Sequence, residues 1–190
     1  GAGINAVTRS GTNNLEGSIY SFFKSNKIQG VNPVTNANFN DYSEYTLGAR
    51  LGGAIKKDKL FYFANIEMGN NTTPSTYNAG DSLQKLSAAE AQKIKDFFQN
   101  TYNYNTGSYE SVNLVTQNIK LFGKLDYIIS PRHKITLRHN FVKASNDILL
   151  RDGSNFTFEN SGYQIQNLQN ITVLELKSNF TNSLSNNLIL

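Results

Sequence analysis

The lengths of the connections between strand-like segments constrain this chain more than any single segment does. Segments in which apolar and polar residues alternate are separated, in turn, by a long polar stretch and by a very short one. In order, the connections contain roughly twenty, four, more than forty, four, more than twenty and six residues. Tight turns along one rim and long loops along the other are typical of an up-and-down barrel in an outer membrane. In a soluble antiparallel meander, nothing requires the long loops to lie on one rim and the short turns on the other.

The period-two pattern is clearest in a hairpin between Tyr45 and Met68 and in a second hairpin around Pro131. In both, apolar side chains alternate with polar ones on either side of a short turn, and no proline interrupts a strand. The flanks of Pro131 each supply the ~9–11 residues that a tilted strand needs to cross a bilayer. The predicted fold class is therefore all-β: an antiparallel up-and-down meander, part of a large outer-membrane β-barrel, with one short helix in a long loop.

Charged side chains in the predicted strands fall on the row opposite the apolar one. The residues concerned are Lys120, Lys124, Asp126, Arg138, Glu175 and Lys177. In a membrane barrel, strands alternate between a lipid-facing apolar row and a polar row that lines the lumen. We therefore expect these six side chains on a wet lumen and the apolar row on lipid.

One segment departs from the strand pattern. Ser87 is followed three residues later by Glu90, the spacing of a capping box, in which the serine oxygen and the glutamate carboxylate accept backbone N–H groups at a helix start. Ala91, Ile94 and Phe97 then recur at helical spacing. The sequence predicts a helix from about Ala88 to Gln99.

Composition and residue types exclude several classes of function. The 18 Lys and Arg residues against 14 Asp and Glu give a net charge of +4, but the basic residues are scattered rather than clustered, so no nucleic-acid partner is expected. With no cysteine there is no disulfide or thiolate metal site, and His133 and His139 have no paired carboxylate nearby in sequence. No serine stands in a nucleophile elbow. We expect no enzyme, no cofactor and no metal.

Two further groups of residues are candidates for binding. The stretch Asp152 to Asn155 is rich in oxygen ligands but lacks the spacing of a calcium loop, so a solvated turn is the preferred interpretation. Aromatic side chains are the better candidates for ligand contact, because exposed loop tyrosines often serve recognition and because two phenylalanines face away from the apolar row. These candidates are Tyr102, Tyr104, Tyr109, Phe61 and Phe63.

Three stretches together carry a resemblance to a known family. VTRSGTNNLEGSIYSFFKSN, LGARLGGAIKKDKLFYFANIE and FGKLDYIISPRHKITLRHNF resemble the junction and first strands of TonB-dependent outer-membrane receptors. The resemblance is to the branch with an N-terminal carboxypeptidase-regulatory-like domain. The capped helix followed by YNYNTGSYE is similar to the second extracellular loop of that branch.

The resemblance implies a division of the chain and a set of partners. Residues 1–14 would be the last strand of a plug domain and its linker, and residues 15–190 the first seven strands of a barrel of about 22 strands, with long loops at 25–43, 69–117 and 144–167. Both ends of the sequence look cut, so we expect a fragment of a longer receptor. Its expected partners are outer-membrane lipid, TonB through parts of the receptor not present here, and a nutrient such as an oligosaccharide, a peptide or a chelate.

A second hypothesis comes from a different class of protein. The chain could be a self-contained secreted or periplasmic β-domain that binds glycan or protein through its loop aromatics. Such a domain would bury its apolar row against a second layer, whereas a barrel wall leaves that row uncovered along successive strands. The number of layers therefore separates the two hypotheses.

Overall fold

A computed structural model of the chain describes residues 8–34, 36, 38 and 40–190. It contains one seven-stranded antiparallel sheet in which each strand pairs with the next along the chain. The strands are β1 (Glu16–Ser25), β2 (Ser43–Lys56), β3 (Leu60–Pro74), β4 (Asn113–Ser130), β5 (His133–Ile148), β6 (Tyr163–Asn179) and β7 (Ser185–Ile189). The predicted all-β up-and-down meander is confirmed.

The sheet is open rather than closed on itself. In the described part of the chain, β1 pairs only with β2 and β7 only with β6, so each outer strand has one unpaired edge. Pairing is regular across the sheet apart from two register shifts, between Ala54 and Lys56 and between Ile128 and Ser130, both beside short turns. An open meander of seven antiparallel strands is consistent with a slice of barrel wall.

The sheet has a single layer and therefore no conventional core. Among the described residues, the only buried apolar side chains are Ala79 and Ala91, and both lie in the long connection between β3 and β4. Large apolar side chains in the strands are exposed instead, up to 89% for Ile19. A β-sandwich would cover such a row with a second sheet. The apolar row here is uncovered, as the barrel-wall hypothesis requires.

The strands extend further toward the long loops than the apolar alternation predicts. The alternation ends at Met68, whereas β3 continues to Pro74, and β4 begins at Asn113 rather than near Asn118. The added residues are mostly Asn, Thr and Gln. Where strands extend beyond the bilayer, both of their faces contact water. Backbone hydrogen bonds between the strands therefore continue there, although apolar and polar residues no longer alternate.

The predicted helix is confirmed as α1 (Ala88–Tyr102). The Ser87 side chain and Glu90 form the expected capping box, and Asn103 ends the helix in the left-handed conformation with φ 50°. The helix therefore continues beyond the predicted end at Gln99 and stops at Tyr102, because the left-handed conformation of Asn103 closes the last turn. No helix in the described ranges is both long and apolar enough to cross a membrane.

The predicted strand at the start of the chain lies largely outside the described residues. Residues 8–14 precede β1 as an extended segment with a bend at Asn13 and Asn14. We call residues 8–14 the entry segment.

Candidate functional site

Strand pairing gives the sheet two chemically distinct faces. Ile19, Ala49, Ile66, Leu121 and Phe141 form one continuous row across five strands, and this row defines the outward face. The opposite, inward face carries the six charged residues expected on the lumen: Lys120, Lys124, Asp126, Arg138, Glu175 and Lys177. The ion pairs among the described residues all lie on this inward face.

The most enclosed polar group of the inward face is Asp126, which is 2% exposed. Its carboxylate accepts hydrogen bonds from Lys134 Nζ at 2.8 Å and from Thr136 Oγ1 at 2.7 Å. Lys124 Nζ lies 3.7 Å away, and the Ser10 side chain interacts with the carboxylate from the residues that precede β1. Asp126 thus joins β4 and β5 to the entry segment.

The entry segment lies against the inward face at the short-turn end of the sheet. Lys124 Nζ donates to the Thr8 hydroxyl at 3.2 Å and to the Thr8 carbonyl at 3.3 Å. Gly11 approaches the β3 backbone so closely that a Cβ there would lie 2.2 Å from the Tyr62 carbonyl oxygen. Asn13 donates to the Asp58 carboxylate at 2.6 Å. The chain therefore reaches β1 from the inward side of the sheet.

The outer loops are fastened together around one arginine of the β5–β6 connection. Arg151 donates to Asn78 Oδ1 at 2.7 Å and to the carbonyl oxygens of Glu110 at 2.9 Å and Ser108 at 3.1 Å, all in the β3–β4 connection. Its guanidinium also lies 4.5 Å from the centre of the Phe156 ring. Burial of this cation lowers the pKa of Arg151 from its ordinary value.

Further hydrogen bonds reinforce this junction between the β3–β4 and β5–β6 connections. Ser108 and Glu159 are joined twice, by the Glu159 amide to the Ser108 carbonyl at 3.1 Å and by the Ser108 amide to the Glu159 carboxylate at 2.8 Å. The Asn160 amide donates to the Thr106 carbonyl at 3.0 Å. These two connections form one platform on the long-loop rim.

The structure separates the five candidate aromatic residues. Tyr102 and Tyr104 both lie near Phe98, at 5.9 and 6.2 Å between ring centres, and both are exposed. Tyr109 is partly buried, with its hydroxyl donating to Gln92 Oε1 at 3.0 Å. We call the exposed group of Phe97, Phe98, Tyr102 and Tyr104 the loop aromatic cluster.

Phe61 and Phe63 belong to the other end of the sheet. They lie on the inward face near the β2–β3 turn, and the Phe63 ring is 6.2 Å from the Phe122 ring. Phe63 also lines a cavity of about 390 Å³ beneath the entry segment, together with Gly11 and Arg50. These two phenylalanines therefore share no surface with the loop tyrosines.

The oxygen-rich stretch at Asp152 forms a turn. The Asp152 carboxylate accepts the backbone amides of Ser154 at 2.7 Å and Asn155 at 2.8 Å, and the Asn155 side-chain amide at 2.8 Å. The Asn155 side chain, followed by the two backbone amides, lowers the pKa of Asp152 from its ordinary value. These bonds are those of the turn that the sequence predicts.

The two histidines bond to hydroxyls of the neighbouring strand. His133 Nδ1 lies 3.0 Å from Ser178 Oγ, and His139 Nδ1 lies 2.8 Å from Thr172 Oγ1. In the ranges that the structure describes, no group of three or more His, Cys, Asp or Glu side chains is arranged to hold a metal ion.

Comparison with known proteins identifies the family. Residues 7–103 match the model of the family described as outer membrane beta barrel domain. The TonB-dependent transporter Oar of Myxococcus xanthus is 30% identical over 156 residues, which cover 76% of this chain and 14% of that relative. No solved structure matches. The chain therefore belongs to the outer membrane beta barrel domain family, is similar to TonB-dependent receptors, and lies in the bacterial outer membrane.

Proposed function

We propose that this chain forms the first part of the wall of a TonB-dependent receptor that binds a nutrient outside the cell and imports it. The observation that carries the proposal is the entry segment on the inward face, held by Lys124 and Asp126. A chain that enters a barrel strand from the lumen side must come from something inside the lumen. This supports residues 1–14 as the end of a plug domain and residues 15–190 as the first seven strands of the barrel.

The outer loops supply the surface on which a nutrient would first bind. In outer-membrane barrels the short turns face the periplasm and the long loops face the exterior, so the loop aromatic cluster lies outside the cell. Its exposed rings stand on a platform fixed by Arg151. Tyr102 and Tyr104 are the proposed contacts, and Tyr109 supports the helix through Gln92. Phe61 and Phe63 are a second, inward pair for a ligand that has entered the lumen.

The role is transport rather than catalysis. The matched relative is a transporter, and the described residues bring together ion pairs and hydrogen bonds that hold strands and loops. The partners we propose are outer-membrane lipid, TonB through other parts of the receptor, and a nutrient of the oligosaccharide, peptide or chelate class.

Growth of the host bacterium tests import directly. Strains lacking the receptor, lacking TonB, or carrying receptor variants are grown on defined ferric chelates, oligosaccharides and peptides as the sole source of iron, carbon or nitrogen. We expect one class to support growth only when both the receptor and TonB are present. The double variant Tyr102→Ala/Tyr104→Ala should impair that growth, and Tyr163→Ala, an exposed tyrosine at the start of β6, is the matched control. Growth unaffected by loss of TonB on every nutrient would contradict the proposal.

A further inference from the structure

A shallow recess on the outward face lies close to the long-loop rim. Its volume is about 420 Å³, and its lining combines apolar, amide and cationic side chains, including Tyr45, Met68, Gln117, Ile119, Lys143 and Gln166. In a membrane-embedded barrel the outward face contacts lipid rather than the lumen. A ligand in this recess would therefore come from the membrane.

The recess lies where the outward face changes from apolar to polar. One row across the sheet consists of Leu47, Met68, Ile119, Lys143 and Leu168, and the next row toward the loops consists of Tyr45, Asn70, Gln117, Ser145 and Gln166. Below the first row the outward face is dominated by apolar side chains, such as Ile66, Leu121 and Phe141. Tyrosine is enriched at the level of the lipid headgroups, where a polar row such as this one follows the apolar belt. With the long loops outside the cell, this is the headgroup level of the outer leaflet.

Lys143 is the positively charged side chain at this boundary between the apolar and polar rows. It is exposed, it pairs across the sheet with Ile119 on one side and Leu168 on the other, and no ion pair involves it within the described ranges. A lysine on the lipid face costs about 2–4 kcal/mol at the bilayer midplane and about 0–1 near the interface. Its ammonium is therefore available at headgroup level to an anionic group.

The nearest carboxylate above Lys143 on the same face is already engaged. Asp147 lies four residues further along β5, where its two oxygens accept the Val115 amide at 3.0 Å and the Gln164 side-chain amide at 2.9 Å. Asp147 therefore does not neutralise Lys143 but organises the amides above it. The recess combines one free cation, several side-chain amides and an apolar floor.

We propose that this recess binds a phosphorylated glycolipid of the outer leaflet. Lys143 pairs with a headgroup phosphate, the amides of Gln117 and Gln166 bond to sugar hydroxyls, and an acyl chain lies on Met68 and Ile119. Amides both donate and accept hydrogen bonds, as sugar hydroxyls do, and a sugar headgroup offers several hydroxyls spread over the width of the recess, whereas phosphatidylethanolamine offers one ammonium beside its phosphate. The site is distinct from the loop aromatic cluster and from the inward face.

Lipid binding to the purified full receptor in detergent tests the proposal. Diphosphorylated lipid A, fully dephosphorylated lipid A and phosphatidylethanolamine are titrated separately, and retained lipid is measured by native mass spectrometry. We expect diphosphorylated lipid A to bind most tightly, Lys143→Gln to weaken it about fivefold, and binding of the dephosphorylated form to be unchanged by that substitution. Excess inorganic phosphate should not displace the lipid, because inorganic phosphate has no acyl chain to contact Met68 and Ile119.

The matched control is Lys57→Gln, which removes a lysine from the β2–β3 turn on the opposite rim. A second variant, Gln117→Ala, is expected to weaken both forms of lipid A, since it removes a sugar contact and leaves the phosphate contact. Folding of each variant is checked by heat-modifiable migration on gels. Equal binding of lipid A by Lys143→Gln and wild type, or binding of phosphatidylethanolamine as tight as that of lipid A, would overturn the proposal. Nutrient-dependent growth measures a different surface, so failure here leaves the import proposal standing.

Discussion

At the scale of single residues, Asp126 holds several polar side chains of the inward face together through its one carboxylate. The carboxylate lies within hydrogen-bond distance of Lys134 and Thr136 on the adjacent strand, and Ser10 reaches it from the entry segment. The sequence predicts correctly that Asp126 faces inward, because strand alternation fixes the face. It does not predict the contact with Ser10, because that contact depends on where the preceding segment folds back.

Replacing the Asp126 carboxylate should release the entry segment. Asp126→Asn leaves Lys124 and Lys134 without their shared counter-ion, so we expect the free energy of unfolding of the receptor to fall by about 2 kcal/mol. Trypsin should also cleave faster after Arg9, which lies in the released segment. Urea unfolding in detergent and timed proteolysis measure the two effects.

Glu175→Gln is the control for this experiment. Glu175 pairs with Lys177 at 3.1 Å and with Arg138 at 3.8 Å on the same inward face. It makes no described contact with the entry segment, so its loss should leave cleavage after Arg9 unchanged. Equal cleavage of Asp126→Asn and wild type would show that Asp126 does not hold the segment.

Arg151 is the second residue whose role depends on geometry. Nothing in the sequence distinguishes it, since it is an isolated basic residue in a polar loop. Arg151→Lys keeps the charge but loses the planar fork that reaches Asn78, Ser108 and Glu110 at once. We expect the local opening free energy of the loop junction to fall by about 1.5 kcal/mol, which is about a tenfold faster amide exchange.

Hydrogen exchange at two reporter amides measures this change. The amides of Glu159 and Asn160 bond across the junction to the carbonyls of Ser108 and Thr106. Arg132→Lys is the control, because Arg132 lies in a short turn on the other rim and donates to the Phe180 carbonyl at 3.3 Å. Protection at Glu159 and Asn160 that is equal in Arg151→Lys and wild type would contradict the role assigned to Arg151.

At the scale of elements, α1 is the part of the structure that local sequence specifies best. Its start follows from the Ser87 and Glu90 pair alone, whereas its end follows from the conformation of Asn103. The strands are different. Their membrane-spanning parts are predictable from alternation, but their extensions toward the loops, as in β3 beyond Met68, are held by pairing with a neighbour and leave no apolar pattern.

The capping box makes the start of α1 sensitive to pH. The Ser87 hydroxyl, followed by the Ser87 amide, bonds to the carboxylate and lowers the pKa of Glu90 from the ordinary value of 4.5. A lowered folded-state pKa means that the stabilisation is present above pH 4.5 and is lost as pH falls through the folded-state value. We expect amide protection in the first turn of α1 to decline below pH 4.5.

Glu90→Gln should abolish that decline, and Ser87→Ala should destabilise the helix by about 1 kcal/mol at neutral pH. Exchange of the Ala91 amide, which donates to the Ser87 carbonyl at 3.0 Å, is the measurement. Asp96→Asn removes a carboxylate from the same helix outside the capping box and is the control. A pH profile of Glu90→Gln that matches wild type would contradict the assignment.

The two faces of β4 and β5 should respond differently to the same charge. Leu125→Arg places a cation on the outward face near the middle of the apolar belt, three rows below Ile119, where the cost is about 2–4 kcal/mol. Asn140→Arg places it on the inward face, which lines the wet lumen, where we expect a change of less than about 0.5 kcal/mol. Unfolding of the receptor in lipid vesicles measures both. Equal losses for the two variants would contradict the assignment of faces.

At the scale of the whole molecule, the described residues form a sheet without a second layer. The sequence predicts this from the sorting of connection lengths, because only closure into a barrel explains tight turns on one rim and long loops on the other. It also predicts the inward charges and the outward apolar row. It does not predict how the β3–β4 and β5–β6 connections join, since that depends on side chains brought together from positions far apart in sequence, such as Arg151 and Asn78.

The 190-residue chain by itself should therefore depend on a membrane-like environment. Each outer strand presents an unpaired edge, and the outward face exposes an apolar row to whatever surrounds it. In plain buffer such edges and rows associate with other copies, because edge pairing and apolar burial are both otherwise unsatisfied. In detergent, micelles cover the outward apolar row, so that only the unpaired edges of β1 and β7 remain exposed. We expect β-rich circular dichroism in both conditions, with discrete sedimentation in detergent and large, polydisperse species in buffer. A β-rich monomer in buffer would instead mean that the chain closes or covers its apolar row without lipid, contrary to the open single-layer sheet described above.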